Sequence, residues 1–377
     1  MRILLVSPQF QYIGGIAESV DNLAREFLNL GHEVRVAANP YAPPDGVVVS
    51  REVEPTLVRI SGIKPVTWRH PERLFRDSAH RELTNLIRCI APDVVNSHIG
   101  AWERIPTVVR SCRVAGVPLV YTLHGRGGAG NQDASALMPL KTADAIVTNS
   151  AYTRRDFAQL APWLSRATVI MVGVDVASAE RAAPTIRERP YVFCAARLTL
   201  REKAVDVLIS AFRAVAEDYP ELDLLIAGSG PDADKLEKLA REIGLGGRIH
   251  FLGTVPRAEM WGLFKGALFF AMPSRRPEGL GLVFLESMAC GRPVIGTNSG
   301  GTPEAVSSGE TGFLLERNEP TELALAMRRM LEDPEAREAM GRRAYEAALL
   351  HSWSHVAESY LRLFRSCVEQ RSHRSEQ

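Results

Sequence analysis

Two kinds of apolar patterning alternate along this chain. The first is a short unbroken run, such as Ile3–Val6, of the kind a parallel strand shows when it is covered on both faces. The second is a stripe at helical spacing: Val20, Leu23, Ala24, Phe27 and Leu28 share one side of a helix that Gly31 stops. Glu33–Ala38 then resumes a strand. Strand, helix, strand in that order predicts a right-handed parallel crossover. The alternation continues with strand-like runs at Asp93–Asn96, Pro118–Leu123, Ala145–Thr148 and Thr168–Val172. Helical patterns at Arg73–Cys89 and Arg104–Ala115 lie between them.

The pattern breaks at Ala177–Pro190, which is Ala-rich and charged and holds Pro184 and Pro190. This stretch reads as a linker. A second series starts at Tyr191, with strand-like runs at Tyr191–Ala195, Leu222–Ala227, Arg248–Leu252, Ala267–Met272, Pro293–Gly296 and Gly312–Leu315. Helical patterns fill the gaps, as at Leu208, Ile209, Phe212 and Val215. The last third of this half is helical: Thr321–Leu331, Pro334–Leu350 and Ser352–Cys367, before a polar tail at Val368–Gln377 expected to fray. The expected class is α/β, with Rossmann-like domains over 1–180 and 187–351 followed by a terminal helix and tail over 352–377.

Composition agrees with this division. A chain of 377 residues has the length of two ordinary domains. Hydrophobic residues at 46% and charged residues at 24% give enough apolar material for two cores. The net charge of +1 provides no global field for nucleic acid. The five cysteines, Cys89, Cys112, Cys194, Cys290 and Cys367, form no C-x-x-C pair, and Cys194 and Cys290 sit in apolar runs. Reduced, buried thiols in a cytoplasmic protein are therefore expected. The apolar N-terminal run turns polar by Ser7, too early for a signal peptide, and no run approaches the roughly 18 residues of a membrane span. One local excess of charge stands out: Arg59, Lys64, Arg69, Arg73, Arg76, Arg81 and Arg88 outnumber Glu72, Asp77 and Glu82. It fits either a solvated helix face or a peripheral contact with a membrane or lipid-linked acceptor.

The densest chemical signal is residues 273–295, Pro-Ser-Arg-Arg-Pro-Glu-Gly-Leu-Gly-Leu-Val-Phe-Leu-Glu-Ser-Met-Ala-Cys-Gly-Arg-Pro-Val-Ile. A strand ends at Met272, a loop follows, and a helix starts near Gly281. Ligands of open α/β sheets bind at the carboxyl ends of strands, where this loop stands. The helix start at Gly281–Val283 offers unpaired amides to an anion. Glu286, on the second helical turn, can accept hydrogen bonds from a vicinal diol such as a ribose, and Glu278 lies in the loop. A second signal, Arg197-Leu198-Thr199-Leu200-Arg201-Glu202-Lys203, follows the strand Tyr191–Ala195. Two cations there can neutralise a departing diphosphate in place of a divalent metal.

With these residues in view, the chain resembles the retaining family-4 glycosyltransferases, which have the GT-B fold. Glu278 and Glu286 with Gly-Leu-Gly-Leu between them carry the resemblance, as do Ala289-Cys290-Gly291-Arg292-Pro293-Val294 and Gly300-Gly301-Thr302-Pro303-Glu304. Arg197, Glu202-Lys203, Ala227-Gly228-Ser229-Gly230-Pro231, Gly14-Gly15 and Ser352-Trp353 match as well. Ala196, Ala204 and Leu280 depart from the usual residues of the pattern. The resemblance implies two Rossmann-like domains with parallel sheets facing a central cleft, and a final helix that crosses back onto the N-terminal domain. It implies a donor, most often a UDP- or GDP-sugar, held by Arg197, Lys203, Gly279, Leu280, Gly281, Leu282 and Glu286, with Gly14 and Gly15 near the diphosphate. Glu278 would contact the donor sugar, and His124 would sit at the donor–acceptor junction. With Arg197 and Lys203 these two make up the catalytic set, and His98, His124 and Arg126 the acceptor side. No cofactor and no metal are expected.

Two other patterns compete weakly. Gly125-Arg126-Gly127-Gly128-Ala129-Gly130 matches the dinucleotide fingerprint literally, but Asn131-Gln132-Asp133 intervene where an apolar helix should follow. Asp232-Ala233-Asp234 matches a metal-binding D-x-D, yet it opens a helix, where acids complement the dipole. A nucleotide-sugar epimerase and an inactive nucleotide-sugar-binding protein remain alternatives on the same scaffold.

Overall fold

Residues Met1–Val172 and Trp353–Gln377 form one unit of the chain, and Gly173–Ser352 the other. The computed structural model describes residues 1–7, 15–38, 56–59, 77–100, 102–125 and 133–375.

The first unit is built on seven strands: β1 (Arg2–Val6), β2 (Glu33–Ala38), β3 (Thr56–Arg59), β4 (Val94–Ser97), β5 (Leu119–Leu123), β6 (Ala145–Thr148) and β7 (Thr168–Val169). Their order is β3-β2-β1-β4-β5-β6-β7, and every neighbouring pair is parallel. Every residue of β4 and β5 is buried, the polar Asn96, Ser97 and Thr122 included. Helices α1 (Gly15–Asn29), α2 (Asp77–Ile90), α3 (Ile105–Ala115) and α4 (Ala151–Leu160) connect the strands. The α1 stripe buries Val20, Leu23, Ala24 and Phe27. Leu28 turns outward and is 37% exposed, since the stripe is narrower than the sequence pattern suggests. The edge strand β3 has no counterpart in the sequence reading.

The second unit has six strands: β8 (Tyr191–Ala195), β9 (Asp223–Ala227), β10 (Ile249–Gly253), β11 (Phe270–Met272), β12 (Val294–Thr297) and β13 (Gly312–Leu315). They run in the order β10-β9-β8-β11-β12-β13, again all parallel. Its helices are α5 (Val176–Arg181), α6 (Val205–Ala216), α7 (Ala233–Glu242), α8 (Arg257–Gly266), α9 (Leu282–Ala289), α10 (Thr302–Ala305), α11 (Pro320–Glu332) and α12 (Pro334–Leu349). Tilted and edge-on rings of Phe193, Phe264, Phe270 and Phe284 fill the core beside β8 and β11. The chain winds outward in opposite directions from β8 and β11, so the strand order reverses between them. Ligands of open parallel sheets lie outside the strand ends at such a point.

The division between units falls at Val172/Gly173, ahead of the expected linker at 177–190. That stretch is tied down on the second unit. Asp175 caps α5 by accepting from the Ser178 amide at 2.9 Å. Lys265 of α8 donates to the Ala179 and Glu180 carbonyls, and the Thr185 amide donates to Gly262 O at 2.8 Å.

The last helix, α13 (Trp353–Ser375), is grouped with the first unit and continues through most of the tail expected to fray. It buries Val356, Ala357, Tyr360, Leu361, Phe364 and Cys367. Phe364 packs on Phe27 of α1 with ring centres 5.7 Å apart. Arg371 donates to the Val117 carbonyl and pairs with Asp144 at 2.9 Å, which fixes the far end of the helix.

All five cysteines are free, and four are buried; Cys89 is exposed, contrary to expectation. Burial pushes the Cys112, Cys194 and Cys290 thiols up to about 12, so they stay protonated. Among the described residues no helix is long and apolar enough to cross a membrane. Most of the basic segment Arg59–Arg88, namely residues 60–76, lies outside the described residues, as do Gly14 and Arg126.

Candidate active site

The loops after β8 and β11 are laced together by their own backbone. Ala204 donates its amide to Pro273 O, and the Arg275 amide donates to Glu202 O at 2.8 Å. Arg275 adds a bidentate pair to Asp206 and also donates to the Leu200 and Lys203 carbonyls. Two strand ends that flank the sheet's reversal are thereby held as one surface. On it Lys203 and Glu278 form an ion pair. Ser274 also donates to Glu278 Oε1, at 2.7 Å. Ser274 is itself fixed: its amide donates to Thr297 Oγ1 and its carbonyl accepts from Asn318 Nδ2.

Glu278 owes its position to a close approach from the other side. Gly301 donates its amide to Glu278 O at 2.8 Å, and Gly300 bridges Glu278. A Cβ at Gly301 would lie 2.0 Å from Gly279 O, inside any permitted contact. Only glycine lets the loop after β12 reach the loop after β11.

Gly281 precedes α9 with φ 84°, a left-handed conformation that glycine adopts without penalty. No side chain caps α9 and no acid stands in its first turn. The Phe284 amide donates to Gly281 O at 3.0 Å, which leaves the Leu282 and Val283 amides at the helix start available to an anion. Leu280 is buried, so it can offer only its backbone to a ligand.

Glu286, on α9, is buried and pairs with Arg257. The Arg257 guanidinium lies 4.6 Å from the centre of the Trp261 ring, one helical turn further along α8. Arg257 was not anticipated from sequence; its spacing of four from Trp261 is the one local signal, and nothing local links it to Glu286. Arg197 is exposed and has no ion-pair partner among the described residues, so its charge is free for a ligand.

Asp232 is committed elsewhere. Its carboxylate accepts from the Leu200 amide at 2.9 Å and pairs with Lys235. The Lys235 hydrogen bond and then the Leu200 amide hold it below the usual carboxylate range. Among the described residues no group of three His, Cys, Asp or Glu is placed to hold a metal.

On the first unit, His124 follows β5 and is half-buried, and Asn149 Nδ2 donates to its carbonyl at 3.0 Å. Burial pushes its imidazole down to about 4. His98 follows β4 and is completely buried, 2.9 Å from His124. The expectation that His98 contacts an acceptor is therefore corrected: it offers no surface to one. Gly15 opens α1 and is exposed.

Comparison with known proteins fixes the family. Residues 13–178 match the model of Glycosyltransferase Family 4, and residues 177–347 match that of Glycosyl transferases group 1. A GDP-mannose-dependent alpha-(1-6)-phosphatidylinositol monomannoside mannosyltransferase of Mycobacterium tuberculosis is 35% identical over 304 residues, covering 75% of this chain and 78% of that one. The chain belongs to the family-4 glycosyltransferases. The transferase also matches the protein of the same name from Mycolicibacterium smegmatis, at 33% identity over 53% of this chain and 56% of the relative's length. In fold it is similar to Anabaena HepE in complex with UDP, with a TM-score of 0.77 at 20% identity, covering 97% of this chain and 100% of that one. The transferase thus acts on nucleotide sugars and has the GT-B fold, which displaces the nicotinamide reading of Gly125–Gly130.

Proposed function

We propose that the transferase moves a sugar from a UDP- or GDP-sugar to an acceptor hydroxyl with retention of anomeric configuration and without a metal ion. The observation that carries this reading is the Lys203–Glu278 pair beside the uncapped start of α9, at the point where the second sheet reverses. A diphosphate brings two or more negative charges. Arg197, Lys203 and the α9 amides supply the compensating positive potential, which grows in value as the sugar–phosphate bond lengthens. Glu286 accepts from the ribose hydroxyls, and Glu278 faces the sugar. In the transfer the bond from the anomeric carbon to the diphosphate oxygen breaks, the acceptor oxygen bonds to that carbon, and its proton leaves on the diphosphate. His124 reads a substrate hydroxyl.

The M. tuberculosis relative uses GDP-mannose and the HepE structure holds UDP, so both bases are tested. The phosphatidylinositol monomannoside in the relative's name favours a lipid-linked or glycoconjugate acceptor, with the basic Arg59–Arg88 region resting on an anionic membrane surface. Melting the protein with UDP-, GDP- and ADP-sugars should raise the melting temperature for the true donor class alone. Turnover with that donor should survive EDTA, and NMR of the product should show the donor's anomeric configuration. A flat melting screen would remove the reading.

A further inference from the structure

Four polar side chains run inward from His124. Asn96 of β4 donates from Nδ2 to the Val120 carbonyl and to Thr122 Oγ1, each at 3.1 Å. Its Oδ1 lies 2.7 Å from His98 Nε2, and His98 Nδ1 lies 2.9 Å from His124 Nε2. Asn96 and His98 are both completely buried. The Tyr360 ring of α13 packs 6.2 Å from the His98 ring, and its hydroxyl sits 3.2 Å from Thr122 Oγ1.

The direction of this chain follows from one backbone atom. Val120 O can only accept, so the Asn96 amide must turn its nitrogen towards it; the flipped amide would set two oxygens against each other. Oδ1 is then the atom that faces His98, and it too can only accept. His98 must carry its proton on Nε2. Burial and the neighbouring His124 hold His98 well below its ordinary value, so the ring is neutral and Nδ1 is bare. A bare Nδ1 accepts, which places the His124 proton on Nε2 and leaves His124 Nδ1 without one. Among the described residues nothing else bonds to that nitrogen.

We infer that His98 is a positioning residue: with Asn96 it locks His124 as a neutral imidazole whose Nδ1 is a fixed acceptor for a hydroxyl of the substrate. This rests on the glycosyltransferase reading only for the identity of the hydroxyl, since the proton pattern belongs to the protein. An acceptor-only nitrogen receives an O–H or N–H donor and turns away phosphate and carboxylate oxygens, which have no proton to give. His124 thereby selects a sugar or acceptor hydroxyl over the charged part of the donor. The ring does not drift between tautomers, so that hydroxyl meets one geometry in every turnover.

The test labels the full chain with 15N-histidine and reads two-bond proton–nitrogen correlations. In the wild type both His98 and His124 should show the Nε2-protonated pattern. His98→Ala should give His124 both tautomers. His98→Asn, whose amide oxygen can stand where Nδ1 stood, should return the single one. With the donor found by melting, His98→Ala should lower kcat by about tenfold or more with donor KM nearly unchanged, and His98→Asn should recover part of it. Nδ1-protonation of either ring in the wild type would overturn the proposal, and so would an unaltered His124 spectrum in folded His98→Ala. The wild-type spectrum decides even if the alanine variant does not fold. A correct tautomer pattern with no donor shift would sink the proposed function alone; a donor shift with the wrong tautomers would sink this inference alone.

Discussion

Lys203 and Glu278, 75 positions apart in sequence, close an ion pair over the ends of β8 and β11. Both groups are largely shielded, with 14% and 22% of the side chain exposed, so the cost of taking them out of water offsets much of their attraction. Its weight is in the chemistry. In the proposed mechanism Lys203→Ala takes a cation from the leaving group, so turnover should drop about 100-fold or more. Glu278→Ala should cost turnover to a similar degree while nucleotide binding stays close to wild type, because the proposed function sets Glu278 against the sugar and not the diphosphate. Steady-state kinetics with calorimetric titration of the free nucleotide separates the two. Wild-type turnover in both variants would remove this mechanism.

The Arg257–Glu286 pair behaves differently, because Glu286 is buried while Arg257 is 42% exposed. Taking away Arg257 leaves a carboxylate in the core of α9 with no charge opposite. Arg257→Ala should therefore destabilise the second unit by about 2 kcal/mol, less than a fully buried pair would. Adding Glu286→Gln removes the stranded charge and should restore part of the loss. Urea denaturation of the two variants checks this, and a double variant weaker than the single one would refute it.

These two pairs also mark what the sequence disclosed. The alternation of apolar runs with 3.6-residue stripes marked every strand of both sheets except β3, since parallel strands covered on both faces are mostly apolar. Lys203 was legible because it follows a strand end, and Glu278 and Glu286 because they stand at a strand end and a helix start among glycines. Arg257 was not, because its partner lies on another helix and no local pattern records that contact. His98 had the same strand-end address as His124, and a strand-end histidine can turn inward or outward; only packing by Tyr360 and Asn96 decides. The edge strand β3 had no flanking periodicity to announce it.

Gly301→Ala tests the support beneath Glu278. The new methyl group would meet the Gly279 carbonyl at 2.0 Å, so the loop after β11 must move. Loss of turnover near that of Glu278→Ala is expected, along with a melting point lower by several degrees for about 1–3 kcal/mol of strain. Full activity in this variant would show that the loop's position does not govern Glu278.

Phe364 tests how firmly α13 belongs to the first unit. It is completely buried against Phe27 and Tyr360. Phe364→Ala should cost about 3–5 kcal/mol, the usual range for an emptied aromatic site. Deleting residues after Leu350 should cost more, because Arg371 and Asp144 lose each other as well. Calorimetry should find the loss in the transition of the first unit. An unchanged melting profile in the deletion would show that the helix is dispensable.

Acid should weaken the first unit through its two neighbouring histidines. His124 titrates near 6.5 in the unfolded chain and is pushed down to about 4 by burial, and His98 shifts the same way. Well above about pH 6.5 neither state holds a proton on these rings, and their full contribution is present. As pH falls from there towards about 4, the unfolded chain takes up protons that the native state refuses, so stability drops with falling pH. For His124 alone the whole loss is on the order of 3 kcal/mol. Ordinary carboxylates titrate near about 4, so the interval from pH 7 to about 5 reports mainly the histidines. Urea midpoints measured across that interval should fall steadily in the wild type. His124→Asn, with no ring to protonate, should flatten the slope by about one proton. An equally steep slope in that variant would place the acid sensitivity elsewhere in the protein.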